Sequence, residues 1–305
     1  MTKKFHSNGK LLLTGEYLVL DGAVALGLPT KYGQSLTVET SNRKTSEISG
    51  IHWKSLDDKG EIWFEDFFTL DTFQSKNTED PVSQTLSKIL KEAKKLNPNF
   101  LSEHEGIIVT TNLDFPLNWG LGSSSTLINN IAQWAEVDPF ALLAKSYGGS
   151  GYDIAAAIEN NPFFYELNDE KPEFHEAYLP WSFKDSMFFI HLNVKQSSKA
   201  AVSHYRKATV TLKDIDEISS ISEELTLCHS LWMFQELLDT HEQILSNILA
   251  IPPVKTQLFS DYPHTIKSLG AWGGDFVLAT GNEEDMDYFR KKGYNTIIPF
   301  SEMIK

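Results

Sequence analysis

Between residues 106 and 136 the chain passes from an apolar strand pattern through a glycine- and serine-rich loop into a helical pattern. That junction constrains the fold more than any other feature. Residues 106–111 (Gly-Ile-Ile-Val-Thr-Thr) read as a strand, residues 112–122 as a loop, and residues 123–136 carry apolar side chains at helical spacing. The loop runs into Gly120-Leu121-Gly122-Ser123-Ser124-Ser125. Its glycines allow a tight curl, so successive amides can face one anion. The helix that follows adds N-terminal amides and the positive end of its dipole. Serine hydroxyls at that point can meet phosphate oxygens or a magnesium ion. A plain Gly-Ser turn with an N-capping serine accounts for the same residues. No Gly-Lys-Ser/Thr follows, so this is not a Walker A loop, and the third glycine of a dinucleotide fingerprint is missing.

The surroundings of the junction predict an α+β chain. Asp21-Gly22 between apolar runs predicts a β-hairpin. Residues 35–40 and 61–68 read as strands, with the polar stretch 41–60 as loop between them. Residues 81–96 have the helical period, with Pro81 at the start and Asn97-Pro98 at the end. Helices are expected at 139–146 and from Tyr152, a strand at 163–167, and a crossing between lobes at 168–180. Beyond it, strands at 187–192, 276–279 and 296–298 mix with helices at 199–207, 215–226, 231–249 and 283–292. This mixture lacks the strict alternation of a doubly wound parallel sheet. A length of 305 residues suits two lobes, expected at residues 1–180 and 181–305.

Charge narrows the partners. With 41 acidic against 27 basic residues and a formal charge of −14, the surface repels nucleic acid and anionic membranes. A phosphate site in such a field must rest on backbone amides and a few placed lysines. Cys228 is the only cysteine, which excludes an intramolecular disulfide and a cysteine-based zinc site. The opening residues lack the apolar stretch of a signal peptide, and no run approaches the roughly 18 apolar residues of a membrane span. The expectation is a soluble cytoplasmic protein, a monomer or homodimer, acting on a small molecule.

Three further segments carry candidate chemistry. Gly148-Gly149-Ser150-Gly151-Tyr152-Asp153 brings a carboxylate to a helix start, where it serves either as a dipole partner or as a group carried into a crowded site. Ser7-Asn8-Gly9-Lys10 leads a strand toward Gly15-Glu16-Tyr17; Lys10 reads as a solvated strand end or as an ammonium neutralising a phosphoryl group. Gly270-Ala271-Trp272-Gly273-Gly274-Asp275 is a turn or a second glycine loop. Glu103-His104-Glu105 reads as a solvated loop, and no His-Glu-x-x-His or Gly-x-Ser-x-Gly occurs.

The order of these segments resembles the GHMP kinase superfamily over nearly the whole chain. Within it the chain is most similar to the phosphomevalonate kinase branch, with Gly151-Tyr152-Asp153-Ile154-Ala155, Gly15-Glu16-Tyr17 and Gly273-Gly274-Asp275. The resemblance implies an N-terminal lobe like the second domain of ribosomal protein S5 and a ferredoxin-like C-terminal lobe. It also implies ATP and Mg2+ as cofactors and phosphomevalonate as acceptor. Lys10 and Asp153 would be catalytic, with Gly120, Gly122, Ser123, Ser124 and Ser125 on the nucleotide and Ser124 on the metal. Glu16, Tyr17, Ser150, Lys195, Ser197 and Ser198 would meet the substrate. Two departures stand out: Trp272 interrupts the last glycine motif, and Leu142 occupies the position where mevalonate kinases carry a magnesium-binding glutamate. Mevalonate kinase, another small-molecule kinase of the superfamily, a mevalonate diphosphate decarboxylase and a silent nucleotide-binding homologue are the competing readings.

Overall fold

A computed structural model describes residues 2–40, 50–102, 106–169 and 171–305, so the loop expected at 103–105 and part of the one expected at 41–60 lie outside the described residues. The chain divides into two compact units that interleave in sequence. The first takes Met1–Gly9, Tyr32–Leu117 and Leu121–Ile158; the second takes Lys10–Lys31, Asn118–Gly120 and Glu159–Lys305. Strands β1 (Thr2–Thr14) and β2 (Ala25–Thr40) pair with each other, and each contributes residues to both units.

In the first unit, β3 (Gly50–Leu56), β4 (Ile62–Phe68) and β5 (Gly106–Leu113) join the later part of β2 in the order β4-β3-β5-β2. The β3–β5 pair is parallel, and β3–β4 and β2–β5 are antiparallel. Helices α1 (Pro81–Leu96), α2 (Ser123–Ala135), α3 (Pro139–Ser146) and α4 (Tyr152–Ile158) pack on one another. Trp53, Phe68, Leu90, Val109, Ile128 and Ile131 close the core between sheet and helices. Local signals account for the helix limits. Asp80 caps α1 by accepting from the Ser83 amide, Pro81 fills its first turn, and Lys94 and Lys95 face the negative end of its dipole.

In the second unit, β6 (Phe163–Asn168) pairs antiparallel with the first part of β2 and with β7 (Lys171–Glu176). A separate antiparallel sheet holds β8 (Met187–His191), β9 (Ile266–Ser268), β10 (Phe276–Thr280) and β11 (Ile297–Pro299) in the order β11-β8-β10-β9. Helices α5 (Ser198–Tyr205), α6 (Leu212–Leu225), α7 (Leu231–Leu249), α8 (Val254–Leu258), α9 (Asp287–Lys291) and α10 (Phe300–Met303) complete it. No helix of the described residues is long and apolar enough to cross a membrane.

Three expectations are corrected. The Asp21-Gly22 pair does not turn a hairpin: Leu18–Asp21 form a 3-10 turn, with Gly22 left-handed at φ 91° as its cap. The side chain of Asp21 is taken by Tyr205 and Arg206, and Leu18 and Val19 are buried, so packing decides the conformation there. Residues 50–56, expected as loop, form β3, because buried Ile51 and Trp53 alternate with partly exposed His52 and Lys54. Residues 171–176, expected as a crossing, form β7 and return along β6.

Candidate active site

Helix α2 begins behind Gly122, left-handed at φ 89°, and no side chain caps it. A glycine in that position lets the chain enter the helix abruptly while leaving the first-turn amides to other acceptors. The three serines then diverge. Ser125 is buried, and its Oγ donates to the Gly122 carbonyl at 2.9 Å. Ser123 is half-buried and Ser124 is exposed. Thr126 Oγ1 lies 2.9 Å from Gln34 Oε1, which ties the helix start to β2.

Gly148, Gly149 and Gly151 are all left-handed, at φ 80°, 114° and 88°, and deliver the chain to α4 at Tyr152. Asp153 is half-buried and accepts the Ile154 amide at 3.1 Å; Ser150 is half-buried. Helix α4 packs against α2. A buried polar network fixes that packing: Ser7 Oγ donates to Asn130 Oδ1 at 2.8 Å, and Asn129 Nδ2 donates to Ser7 Oγ at 2.9 Å and faces the Ala157 carbonyl at 3.4 Å. Asn130 Nδ2 donates to the Gln34 carbonyl at 2.9 Å. Satisfied buried networks of this kind rigidify what they join. Leu142 on α3 is fully buried in the core.

In the second unit, Gly120 is left-handed at φ 67° and touches Asp275: a methyl group at position 120 would fall 2.4 Å from Asp275 Cγ. Trp119 stands edge-on to Phe276, and the Asn118 carbonyl lies 3.2 Å from His191 Nε2, which anchors this part of the loop on β8 and β10. Burial raises the Asp275 carboxyl above the ordinary range, opposed by the charge of Lys10, the Gln196 amide, and the charges of His191 and Lys195. Lys10 is half-buried and Lys195 exposed. Ser197 caps α5, accepting the Ala200 amide at 3.3 Å, and Ser198 is exposed.

Glu16 and Tyr17 lie inside the same unit. Glu16 is only 2% exposed, and Lys267 Nζ donates to its Oε1 at 2.5 Å. Lys267 lies 3.2 Å from Glu242, which accepts from Ser268 Oγ at 2.8 Å. His241 Nε2 accepts the Gly15 amide at 3.1 Å. Burial drives the His241 pKa well below its ordinary value, so the ring is neutral and its 3.4 Å approach to Glu16 is not an ion pair. Burial raises Glu16 to about 7, with Lys267 pulling the other way. Tyr17 stacks on Tyr205 with ring centres 5.3 Å apart.

No family model matches the chain, and no curated protein matches it. Solved structures do. The mevalonate kinase of Methanococcus jannaschii aligns over 98% of this chain and 97% of its own, at 16% identity and a TM-score of 0.71. The phosphomevalonate kinase of Streptococcus pneumoniae, solved with phosphomevalonate and AMPPNP, aligns over 95% of each chain at 13% identity and a TM-score of 0.69. The galactokinase of Lactococcus lactis, solved with galactose, aligns over 95% of this chain and 88% of its own at 15% identity and a TM-score of 0.63. The chain has the GHMP kinase fold. At these identities the likeness is one of fold.

Within the GHMP kinase fold, the expected residues fall into three groups. Gly122, Ser123, Ser124, Ser125, Ser150 and Asp153 share the first unit; Lys10, Gly120, Lys195, Ser197 and Ser198 share the second; Glu16 and Tyr17 share the second unit's interior. Sequence reasoning assigned no role to Asp275, although the Gly-Gly-Asp before a strand pointed at it. It also passed over Lys267, whose one signal is a lone charge in the short run Ile266-Lys267-Ser268.

Proposed function

We propose that the chain is an ATP-dependent small-molecule kinase with phosphomevalonate as its acceptor. The observation that carries this reading is the start of α2, which no side chain caps, with the Ser123 and Ser124 hydroxyls outside the loop's own bonding, in one unit with Asp153 on the helix packed against it. An anion at that start meets backbone amides and the helix dipole together. The Ser124 hydroxyl and the Asp153 carboxylate are hard oxygen donors of the kind magnesium takes, alongside phosphate oxygens and water. Among the described residues no three His, Cys, Asp or Glu side chains converge. The chemistry magnesium supplies there is neutralisation of charge on the phosphate oxygens.

The remaining catalysis is positioning and electrostatics, since phosphoryl transfer spreads charge over the equatorial oxygens. Asp153 orients the attacking oxygen, and takes its proton when the acceptor is an alcohol. A phosphate acceptor needs little proton abstraction, so there Asp153 acts by position and charge. Lys10 neutralises the transferring group. Ser150, Lys195, Ser197 and Ser198 offer hydroxyls and one cation to the acceptor's phosphate. Glu16 and Tyr17 support the strand end behind Lys10 from inside the unit. The buried Leu142 speaks against the metal arrangement of a mevalonate kinase.

An ADP-release assay over a panel of acceptors tests this. Phosphomevalonate is expected to support turnover well above mevalonate, galactose and homoserine. Faster turnover on any of the other three reassigns the acceptor, and nucleotide binding without turnover on all four removes the kinase reading.

A further inference from the structure

A cavity of about 250 Å³ opens in the first unit where helices α1 and α2 end. Asn97, which closes α1, and Glu136, which closes α2, both line it. Ser123 and Ser124 stand at the opposite end of the 13-residue α2, roughly 20 Å away along the helix. The volume falls below the roughly 300–1,000 Å³ of drug-sized ligand pockets, which leaves room for one small metabolite and not for a nucleotide. The cavity is therefore separate from the phosphate site.

Its floor is apolar and held by specific bonds. Phe100 and Trp134 meet edge-on with ring centres 4.8 Å apart, and Val38 and Leu101 are buried beside them. Asn97 Nδ2 donates to the Ala135 carbonyl at 2.8 Å, and Lys94 Nζ donates to the Phe100 carbonyl at 2.6 Å. Two lining residues carry backbone strain: Leu101 and Glu136 are left-handed, at φ 63° and 55°. Glycine or asparagine makes such turns at lower cost. What leucine and glutamate add there is a side chain on the cavity, one apolar and one charged.

The rim is charged and unpaired. Lys3 and Glu136 are exposed, and among the described residues neither enters an ion pair. Two helices end at this rim, and the negative ends of their dipoles reinforce Glu136 as the seat of a cation. Lys3, from β1, is the seat of an anion. A plain amine leaves Lys3 unpaired, and a plain carboxylate leaves Glu136 unpaired; a zwitterion with an apolar body satisfies both. We propose that this cavity binds a free apolar α-amino acid, with its carboxylate on Lys3, its ammonium on Glu136 and its side chain on Phe100, Leu101 and Trp134. Exposed Asn99 and half-buried Thr40 add hydrogen-bonding groups on the same rim. The site stands or falls independently of the kinase reading.

The test uses the full chain and three probes that share one phenyl body: L-phenylalanine, 2-phenylethylamine and 3-phenylpropionate. Calorimetry at neutral pH is expected to give L-phenylalanine a Kd of about 0.1–1 mM, the range for a ligand of about a dozen heavy atoms. Each single-charge probe is expected to bind about 3–10-fold more weakly, the worth of one charged contact at an exposed rim. Lys3→Met is expected to weaken phenylalanine by the same factor and to leave 2-phenylethylamine unchanged. Glu136→Gln is expected to weaken phenylalanine likewise and to leave 3-phenylpropionate unchanged. Glu136→Gly relieves the left-handed backbone, so its melting temperature is expected to hold or rise while phenylalanine binding falls. Absence of phenylalanine binding at tens of millimolar overturns the proposal, as does a single-charge probe that binds as tightly as the zwitterion. Unchanged phenylalanine affinity in Lys3→Met or Glu136→Gln overturns it too. So does a lowered melting temperature in Glu136→Gly, because that marks a purely structural role for the glutamate.

Discussion

Glu16 and Asp275 belong to the same unit, each in or beside a left-handed glycine segment and each under the influence of lysine, and burial raises both carboxyls above the ordinary range. They differ in access. Glu16, Glu242, Lys267 and His241 are sealed, none more than 3% exposed, while Asp275 is half-buried and Lys195 is exposed. In the sealed cluster two carboxyls face one ammonium and one neutral imidazole, so full ionisation leaves a surplus negative charge away from water. One carboxyl therefore keeps a proton to near neutrality, as the raised values of Glu16 and Glu242 express. The open set has water to satisfy its charges. The same residue types thus serve folding where they are sealed, and the proposed function gives them binding where they are open, so substitutions separate the two roles.

The largest effects belong to the open side. Asp153→Asn and Lys10→Met are expected to lower turnover by about 10²–10⁴-fold, the range for removing a positioned acid-base or electrostatic group. Their melting temperatures are expected to stay within a degree or two of wild type. Turnover within threefold of wild type in either variant, with the fold intact by circular dichroism, breaks the mechanism. On the sealed side, Lys267→Met leaves two buried carboxyls without their cation. It is expected to cost about 3–5 kcal/mol in denaturant unfolding, as removal of one partner from a buried ion pair does. A loss below 1 kcal/mol would place the cluster in contact with solvent.

Proton linkage gives a smaller but more specific effect. Glu16 is raised from 4.5 to about 7 on folding, so between those values the folded state holds a proton that the unfolded state has released. Stability from Glu16 is fully present below about 4.5 and is lost as pH rises to about 7. His241 runs the other way, because the unfolded imidazole takes a proton below its ordinary value and the folded one does not. Glu16→Gln isolates one term. The stability of wild type relative to Glu16→Gln is expected to fall with each pH unit between about 5 and 7, by up to ~1.4 kcal/mol per unit, and to level off above. A constant difference across that window sinks the assignment.

Which parts of this were legible in the chain follows from the range of the interactions. The helices at Pro81–Leu96, Pro139–Ser146 and Leu231–Leu249 were readable because capping residues and apolar period lie within the segment itself. The loop at Gly120–Ser125 and the glycines before Asp153 were readable for the same local reason. The 3-10 turn at Leu18–Asp21 was not, since Tyr205 and Arg206, far along the chain, claim the aspartate that would otherwise turn a hairpin. Lys267 is a lone charge in the short run Ile266-Lys267-Ser268, and nothing local marks it until Glu16, 251 positions away, is placed against it. Asp275 looked like turn chemistry because aspartate tolerates left-handed backbone; only its contact with Gly120 distinguishes it.

The smallest effect separates two adjacent serines. Ser124 is exposed at the start of α2, whereas Ser125 is buried and donates to the Gly122 carbonyl at 2.9 Å. Ser125→Ala removes a bond that closes the loop on itself, while the Gly122 carbonyl keeps the Thr126 amide at 3.0 Å; the loss of that one bond is expected to cost about 1 kcal/mol of stability. Nucleotide affinity in that variant is expected to change less than twofold, because the hydroxyl already has a partner. Ser124→Ala removes a hydroxyl outside the loop's internal bonding, so its stability is expected to stay within about 0.5 kcal/mol of wild type. Its affinity for AMPPNP with magnesium is expected to fall about 2–10-fold, the worth of one hydrogen bond or metal contact. Calorimetric titration and thermal melting on the two variants read both quantities. If Ser124→Ala loses stability and Ser125→Ala loses affinity, the ligand meets the helix start from the side that the loop now closes, and the phosphate site must be redrawn around Ser125.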